Sequence, residues 1–366
     1  MNTDEPLLTS LIDTLTGRGV CFALYRLPWQ EELHLVWQED AVPYIIPHIE
    51  DLNDLQGFVL APFHPGDDCP LLLIRPEHVV HGAEKIQRIR TDELPSHPGG
   101  RPADLPTDSR ERYERAFRQF HDALHGGALR KLVLSRQQTR ELPEGFSIGR
   151  TFMDACQRYP RVMNYVCYTP VSGLWMGCTP EILLSVQKGE GHTVSLAGTM
   201  PVTDGVEPTD WDEKNRREQE YVSEYIRTCL SAHGLEAREE GPYTARAGEL
   251  VHLKTDFRFP LPEPRAIGNL LADLHPTPAV CGLPKEEAYR FIAGQEGVDR
   301  RYYAGFVGWM DPKGDTQLYV NLRCMEIQGH TVVLYAGGGI LASSDVDSEW
   351  EETEHKLATI GRTVFN

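Results

Sequence analysis

Short apolar runs separated by turn residues recur along this chain, and they limit the folds that the chain can adopt. Four runs near the N-terminus predict strands, at 20–27, 33–37, 57–63 and 71–74. Later runs at 304–310 and 318–327 predict an antiparallel pair, and a long helical pattern at 211–232 precedes them. Helices mixed with largely antiparallel strands predict an α+β protein: a large layered fold with mostly antiparallel sheets flanked by helices, rather than a doubly wound sheet.

The size and charge of the chain argue against several classes of protein. With 366 residues it exceeds one small core, and a stretch at 95–109 that is rich in Pro, Gly and Asp is a candidate linker. The 36 basic and 54 acidic residues give a net charge of −18, which argues against a surface for nucleic acid or for an anionic membrane. Eight scattered cysteines without a CxxC pair, no signal-peptide pattern and no apolar run of membrane length predict a cytoplasmic protein.

A strand-like run at 331–335 leads into three glycines at 337–339 and then into an acidic helix. Glycines at such a junction predict a turn whose N–H groups can approach an anion closely. Within the helix, Glu352 and Lys356 form an i,i+4 pair, with Glu349 on the same flank. The stretch suggests a site for a metal and an acidic ligand. The alternative interpretation is a surface helix with acidic residues near its positive N-terminal end.

Four charged side chains elsewhere are candidates for chemistry. Lys131 interrupts an apolar run, so it is either a general base held away from water or a strand-edge lysine that reaches solvent. Glu181 opens another strand, as a general acid kept neutral by apolar surroundings or as a solvent-facing residue. Arg323 could clamp a carboxylate with two hydrogen bonds. Glu218 lies on the buried face of the long helix, where a carboxylate must be protonated, bound to a metal or paired, for example with an arginine.

Eight segments keep a characteristic order, although the chain contains no P-loop, dinucleotide-binding fingerprint, nucleophile elbow or zinc spacing. They are KLVLSR (131–136), GCTPEILL (177–184), LAGT (196–199), EKNRREQEYV (213–222), HPTPAVCG (275–282), DRRYYAGFVGW (299–309), VNLRC (320–324) and AGGGI…SEWEETEHK (336–356). Together they resemble the chorismate-utilising enzymes, which include isochorismate synthase, salicylate synthase and the large components of anthranilate and aminodeoxychorismate synthases. The resemblance extends from about residue 131 to the C-terminus, and residues before 110 match weakly.

The resemblance implies an anthranilate synthase component I-like fold and a role for individual positions. Lys131 matches the lysine that activates water for attack at C2 of chorismate, and Glu181 matches the acid that protonates the departing C4 hydroxyl. Glu218 and Glu352 match the two ligands of a Mg²⁺ ion that holds the ring carboxylate of the substrate. Two carboxylates and an anionic substrate suit Mg²⁺, which prefers oxygen ligands.

Further positions match groups that contact the substrate. Arg323 and Tyr303 match residues that bind the enolpyruvyl carboxylate, helped by a backbone N–H near Gly337. The other matching positions are Gly198, Thr199, Ala279 and Lys356. Three residues depart from the family pattern: Gln219 replaces the histidine common after the metal-binding glutamate, Cys178 occupies a position often held by alanine, and Ser195 replaces a common proline. These departures leave the detail of the metal site open.

The expected nucleophile separates the members of the family. Ammonia-using relatives usually have glutamine where this chain has Lys131, and the aminodeoxychorismate type commonly has a lysine where this chain has Ala197. The resemblance therefore implies a water-using isomerase of the isochorismate synthase type, with salicylate synthase as the alternative. An ammonia-using synthase is less favoured, and so is a chorismate binder without turnover, since such a binder predicts loss of Lys131, Glu181 or a metal carboxylate.

These implications set the organisation that we expect. Residues 1–105 would form a variable N-terminal part of the sheet, and residues 106–366 would form the chorismate-binding catalytic region, within one interwoven domain. We expect a monomer with chorismate as its substrate and Mg²⁺ as its cofactor, and without an amidotransferase, nucleic-acid or membrane partner. The sequence leaves open whether the product enters menaquinone or siderophore synthesis.

Overall fold

The computed structural model describes residues 5–97, 109–202, 207–208, 210–247, 250–261 and 266–365. The α-helices in these ranges are α1 Glu5–Gly17, α2 Ala83–Ile86, α3 Arg110–His125, α4 Ile148–Arg158, α5 Glu213–Ala232, α6 Ile267–Leu274, α7 Lys285–Gln295 and α8 Val346–Phe365. Short 3-10 helices lie at Ile49–Asp54 and Thr91–Glu93. Within the described part of the chain, none of the helices is long and apolar enough to cross a membrane.

Strands from the whole length of the chain build two large sheets. They are β1 Phe22–Arg26, β2 Leu33–Trp37, β3 Tyr44–Ile46, β4 Gly57–Ala61, β5 Leu71–Ile74, β6 His78–His81, β7 Lys131–Glu141, β8 Met163–Thr169, β9 Gly173–Thr179, β10 Ile182–Gln187, β11 Glu190–Pro201, β12 Arg238–Ala247, β13 Leu250–Pro260, β14 Gly282–Leu283, β15 Phe306–Met310, β16 Thr316–Val320, β17 Cys324–Gln328 and β18 Thr331–Ile340. The first sheet has the order β14-β7-β18-β17-β9-β8-β1-β2-β6, and the second has the order β12-β13-β11-β10-β16-β15-β4-β5-β3.

The predicted layered α+β fold is confirmed, because neighbouring strands in both sheets are antiparallel and helices flank them. The four strands predicted near the N-terminus are present as β1, β2, β4 and β5. They extend both sheets rather than forming one of their own, since β1 pairs with β8 and β4 pairs with β15. The predicted linker and the domain boundary near residue 105 fall largely on residues 98–108, which lie outside the described residues.

Alternating side chains of the first sheet supply two separate cores. On β1, Ala23 and Tyr25 face the main core, which also contains Phe306 of the second sheet. Their neighbours Phe22 and Leu24 face a second core beneath α1, α4 and α8. This is the period-two pattern of a sheet that is covered on both faces. The main core therefore lies between the two sheets, and helices close the outer face of the first sheet.

Two of the crossings by which the chain passes from one sheet to the other are neighbours. One crossing joins β9 to β10, and the other joins β16 to β17. Val320 donates its N–H to the carbonyl of Glu181 at 2.9 Å, and Cys178 donates to the carbonyl of Arg323 at 3.1 Å, so the crossings are hydrogen-bonded to each other. The prediction of a single strand at 318–327 is therefore wrong. The chain bends at Arg323, where φ is 49°, and enters the other sheet.

Candidate active site

A cavity of about 60 Å³ lies where these crossings meet the edges of the two sheets. Nine of the eleven predicted site residues line it: Glu181, Gly198, Thr199, Glu218, Ala279, Tyr303, Arg323, Gly337 and Lys356. The other two contact lining residues, since Lys131 Nζ is 2.9 Å from Glu218 Oε1 and Lys356 Nζ is 2.6 Å from Glu352 Oε1. The structure thus places all eleven residues in or beside one cavity.

Lys131 and Glu218 form a buried ion pair between β7 and α5. The Lys131 side chain has no solvent exposure, so the alternative of a lysine that reaches solvent is excluded. Burial opposes ionisation of the Glu218 carboxyl, but Lys131 and then Lys214 outweigh it and hold the pKa of Glu218 below its usual value. Glu218 is therefore an anion in this structure, and its predicted burial on the inner face of α5 is confirmed.

Glu181 lies on the crossing between β9 and β10 and is 2 % exposed. Burial raises the pKa of its carboxyl to about 8, against the opposing charges of Lys131 and Arg323. Its Oε1 atom has no hydrogen-bond partner among the described residues. A carboxyl in this state carries a proton at neutral pH and can donate it to a bound molecule. The alternative of a solvent-facing glutamate is excluded.

Arg323 lies on the second crossing, and its guanidinium reaches the cavity. Within the described part of the chain it forms no ion pair with a carboxylate, although it is only 6 % exposed. Its Nη2 instead lies 2.7 Å from Nε2 of His252 on β13. A buried cation without a counter-ion is suited to an anionic ligand. His252 also lines the cavity and was missed by the sequence analysis, since a single histidine in an apolar strand gives no pattern.

The three glycines at 337–339 do not form the predicted turn. They belong to β18 and pair with Ser135, Leu134 and Val133 of β7, so this prediction is wrong. Their lack of a side chain has a different reason. A Cβ at Gly337 would lie 2.8 Å from Oη of Tyr303, and one at Gly339 would overlap Oε1 of Glu218. Glycine in this strand gives neighbouring side chains the room to approach the backbone.

Three carboxylates converge on this glycine strand. A Cβ at Gly338 would lie 3.3 Å from Glu349 Oε2 and 3.4 Å from Glu352 Oε1, next to the space that Glu218 occupies at Gly339. Each carboxylate is paired with a lysine: Glu218 with Lys131, Glu349 with Lys214, and Glu352 with Lys356. No three acidic, histidine or cysteine side chains in the described ranges already stand in a metal-binding arrangement.

Glu349 is a further site residue that the sequence analysis placed only on the flank of the helix. It is 1 % exposed, and its Oε2 has no hydrogen-bond partner among the described residues. Burial and then the charge of Glu352 raise the pKa of Glu349 to about 7. An oxygen donor set of this kind, with one oxygen unpartnered, fits a hard divalent cation such as Mg²⁺. The spacing of three residues from Glu352 is the sequence signal that could have identified it.

The remaining predicted residues form the other walls of the cavity. Tyr303 stacks on Tyr335 with ring centroids 5.7 Å apart. Gly198 and Thr199 lie at an irregularity in the pairing of β11 with β13, where Gly198 has φ of 70°. A bulge of this kind redirects the backbone next to a site. Ala279 lies in the turn before β14 and contributes an apolar wall.

Fold and cavity together define a class of enzyme in which two antiparallel sheets hold an acid, an amine, a guanidinium and three carboxylates around a small cavity. Comparison with family models agrees with this description. Residues 75–364 match the family described as chorismate binding enzyme. The chain therefore belongs to the chorismate-binding enzyme family.

Curated relatives show how far the similarity extends. The vibriobactin-specific isochorismate synthase of Vibrio cholerae is 29 % identical over 331 residues, which cover 83 % of this chain and 78 % of that protein. The salicylate biosynthesis isochorismate synthase of Pseudomonas aeruginosa is 30 % identical over 308 residues, which cover 81 % of this chain and 63 % of that protein.

Solved structures agree with the fold. A protein described as a 2,3-dihydroxybenzoate-specific isochorismate synthase from Bacillus anthracis matches with a TM-score of 0.79 and 25 % identity, over 98 % of this chain and 99 % of that one. Anthranilate synthase component I from Streptococcus pneumoniae matches with a TM-score of 0.66 and 19 % identity, over 93 % of this chain and 89 % of that one. The expected anthranilate synthase component I-like fold is thereby confirmed.

Proposed function

We propose that the protein converts chorismate to isochorismate by adding water at C2 and releasing the hydroxyl at C4. One observation carries the proposal: Glu181, whose carboxyl pKa is raised to about 8 by burial, lines a cavity beside which Lys131 is also buried. In the proposed reaction Lys131 first gives up the proton of its ion pair with Glu218. As a neutral amine it then accepts a proton from the attacking water while the ring double bonds shift. The C4–O bond then breaks as Glu181 donates its proton to the departing hydroxyl. One water is consumed and one is released, so the product is an isomer of the substrate.

Mg²⁺ is the cofactor in this proposal, and three carboxylates support it. Glu218 and Glu352 would hold the ion, and the unpartnered oxygen of Glu349 would add a third donor at the same glycine strand. Mg²⁺ prefers oxygen ligands, and it is usually held by one or two carboxylates together with water and an anionic group of the substrate. When bound, the ion would supply the positive charge that holds the ring carboxylate of chorismate.

The second carboxylate of chorismate, on its enolpyruvyl group, would bind to the guanidinium of Arg323. Arg323 supports this assignment because it is a buried cation without a carboxylate partner among the described residues. Tyr303 also lines the cavity, where its hydroxyl lies next to Gly337. Gly198, Thr199, Ala279 and Lys356 would complete the contacts with the substrate. Two positive centres for two carboxylates would let an acidic protein hold a dianion.

The names of the relatives support isochorismate as the product. Those of the Vibrio, Pseudomonas and Bacillus anthracis proteins all contain isochorismate synthase. Salicylate formation is the second candidate, and it differs by the release of pyruvate. The relatives include proteins named for vibriobactin and for menaquinone, so the choice between siderophore and menaquinone synthesis is best tested from the neighbouring genes.

Product analysis tests the proposal. The purified protein is incubated with chorismate and Mg²⁺, and the products are separated by liquid chromatography. We expect isochorismate without pyruvate. Salicylate with an equal amount of pyruvate would support the second candidate instead. Chorismate that is bound but unchanged, or anthranilate formed when ammonium is added, would contradict the proposal.

Two further expectations concern location and assembly. All eight cysteines are free and buried, which supports the proposal that the protein acts in the reducing cytoplasm. We also propose that it works as a monomer without an amidotransferase, since water rather than ammonia is the nucleophile. Size-exclusion chromatography checks whether the protein is a monomer. Co-purification of a glutaminase from the native source would contradict the absence of an amidotransferase.

A further inference from the structure

A group of buried polar side chains lies where α5 packs on the second sheet. Gln219 on α5 donates from Nε2 to Oγ of Ser195 on β11 at 2.7 Å and to Oγ1 of Thr255 on β13 at 3.2 Å. Ser223, one turn further along α5, shares a hydrogen bond of 2.8 Å with the same Ser195 hydroxyl. Each of the four residues is at most 4 % exposed. This polar cluster therefore joins one helix to two strands inside the protein.

The polar cluster continues towards the cavity along the same side of α5. Asn215 lies one turn before Gln219, and its Oδ1 accepts the backbone N–H of Thr199 at 3.1 Å. Residues 215, 219 and 223 are spaced by four, so they form one row on the helix surface. All three bind β11, which also carries Gly198 and Thr199 of the cavity wall. The row thus fixes α5 against a strand of the site.

This row lies directly beside Glu218, which is the residue immediately before Gln219 on α5. Elsewhere α5 packs on the main core through apolar side chains such as Val222 and Ile226. Its Lys214 and Glu218 also form ion pairs, and these lie at the carboxylate site itself. Apolar contacts are not directional and permit small rotations of a helix about its axis. Hydrogen bonds to fixed hydroxyl groups are directional and do not permit such a rotation. A small rotation would move the Glu218 carboxylate away from Gly339, where even one added carbon atom would overlap it.

Stability alone does not account for the polar cluster. The Oε1 atom of Gln219 is buried and has no hydrogen-bond partner in the described part of the protein. An unsatisfied buried acceptor is costly, and an apolar side chain of similar size would avoid that cost. Buried polar groups that are retained at such a cost are best known for fixing the register of packed elements.

We propose that Gln219 is a positioning residue that fixes the rotation of α5 and thereby aims the Glu218 carboxylate at the divalent-cation site. The inference rests on the proposed function only for the existence of that site. It adds that cation affinity depends on a side chain that does not itself bind the cation. Residues that orient metal ligands typically contribute about tenfold to a hundredfold to affinity.

The test compares Gln219→Met with a matched variant, Gln317→Met. Gln317 also donates to a buried serine hydroxyl in the second sheet, Ser185 Oγ at 2.9 Å, but it does not line the cavity. Direct binding of Mn²⁺, as a probe for Mg²⁺, is measured by electron paramagnetic resonance. We expect Mn²⁺ binding that is weaker by about tenfold or more in Gln219→Met. Gln317→Met should bind as the wild type does, and a saturating metal concentration should restore the turnover number of Gln219→Met.

Wild-type Mn²⁺ affinity in Gln219→Met would overturn the inference, as would equal losses in both variants. If Gln219→Met does not fold, Ser195→Ala takes its place, since it removes only one hydroxyl from the polar cluster. Weaker Mn²⁺ binding is then expected again, and unchanged binding overturns the inference. Because the readout needs no turnover, weakened binding in a protein that makes no isochorismate would contradict only the proposed function. Absence of Mn²⁺ binding in the wild type would remove the site and the inference together.

Discussion

Arg323 donates a hydrogen bond to Nε2 of His252 at 2.7 Å, and His252 lies 2.9 Å from the carbonyl oxygen of Gly198 through Nδ1. Since a guanidinium can only donate, Nε2 must be the acceptor and Nδ1 carries the proton. Burial and then the charge of Arg323 hold the pKa of His252 well below its usual value, so the ring stays neutral. A neutral histidine thus holds the arginine in place without competing with an anion for its charge.

Replacing His252 by Leu should weaken substrate binding. A lost hydrogen bond to a charged group costs about 1.5–3 kcal/mol, so kcat/KM for chorismate should fall by about tenfold to a hundredfold, mainly through KM. Steady-state kinetics measures the effect. His192→Leu is the control, because His192 is also buried in the second sheet but pairs with Asp256 away from the cavity. An unchanged KM in His252→Leu would show that substrate binding by Arg323 does not depend on His252.

The protonated state of Glu181 predicts how activity depends on pH. The pKa of its carboxyl is raised to about 8, so the acid is lost as the pH increases through this value. The turnover number should therefore decrease above about pH 8, and Glu181→Gln should reduce it by several orders of magnitude at every pH. A pH–rate profile that stays flat from pH 7 to 9 under saturating substrate would contradict the role of Glu181 as the acid.

The raised pKa of Glu181 also predicts how the stability of the protein depends on pH. The sign is opposite to that for an ion-paired carboxylate, whose pKa is lowered. The folded protein binds the proton of Glu181 more tightly than the unfolded chain, whose pKa for this group is 4.5. Its contribution to the free energy of unfolding is fully present below pH 4.5 and is lost as the pH rises to about 8. Urea unfolding of Glu181→Gln across this range should show a weaker loss of stability with pH than the wild type. If the variant lost as much stability with pH as the wild type, the raised pKa of Glu181 would be contradicted.

Gly339→Ala should disturb the carboxylates without a change of charge. The added Cβ would overlap Oε1 of Glu218, so Glu218 must move and the protein should need more Mg²⁺ for half-maximal activity. Gly294→Ala is the control, because a Cβ there meets nothing within 4 Å in helix α7. That variant should be more stable than the wild type by about 0.5–1 kcal/mol, with unchanged activation by the metal. An active Gly339→Ala variant with wild-type metal dependence would contradict the close approach of the Glu218 carboxylate to Gly339.

Removal of the metal should stop the reaction. EDTA should abolish turnover, and Mg²⁺ should restore it. Glu352→Gln should raise the Mg²⁺ concentration needed for half-maximal activity by at least about tenfold, since one of the proposed carboxylate ligands is lost. Glu351→Gln, an exposed neighbour on the same helix, should behave as the wild type. Equal metal dependence in both variants would remove Glu352 from the site.

The sequence predicted much of the fold because apolar periodicity is a local signal. Strands such as β1 and β2 and the buried face of α5 follow from it directly. The single strand predicted at 318–327 shows its limit, since the apolar pattern continues through Arg323 while the chain changes sheets. Strand β12 was missed because it is an exposed edge strand of mainly polar residues.

The parts of the site that were missed depend on contacts between distant elements. The glycines at 337–339 predict a turn when they are considered alone. Their place in a strand follows from pairing with β7 and from carboxylates on α5 and α8 that need the space. His252 and Glu349 are inconspicuous in the sequence, and their importance follows from Arg323 and Lys214, respectively, which pair with them across the fold.

The origin of the new hydroxyl oxygen tests the central claim most directly. Chorismate is incubated with the protein and Mg²⁺ in ¹⁸O-enriched water, and the isochorismate formed is analysed by mass spectrometry. The reaction through Lys131 and Glu181 predicts one ¹⁸O atom at C2 of the isochorismate that the wild type forms. Lys131→Ala should give back only unlabelled chorismate, because that variant should not turn over. Isochorismate formed by the wild type without the label would contradict attack by water and, with it, the role assigned to Lys131.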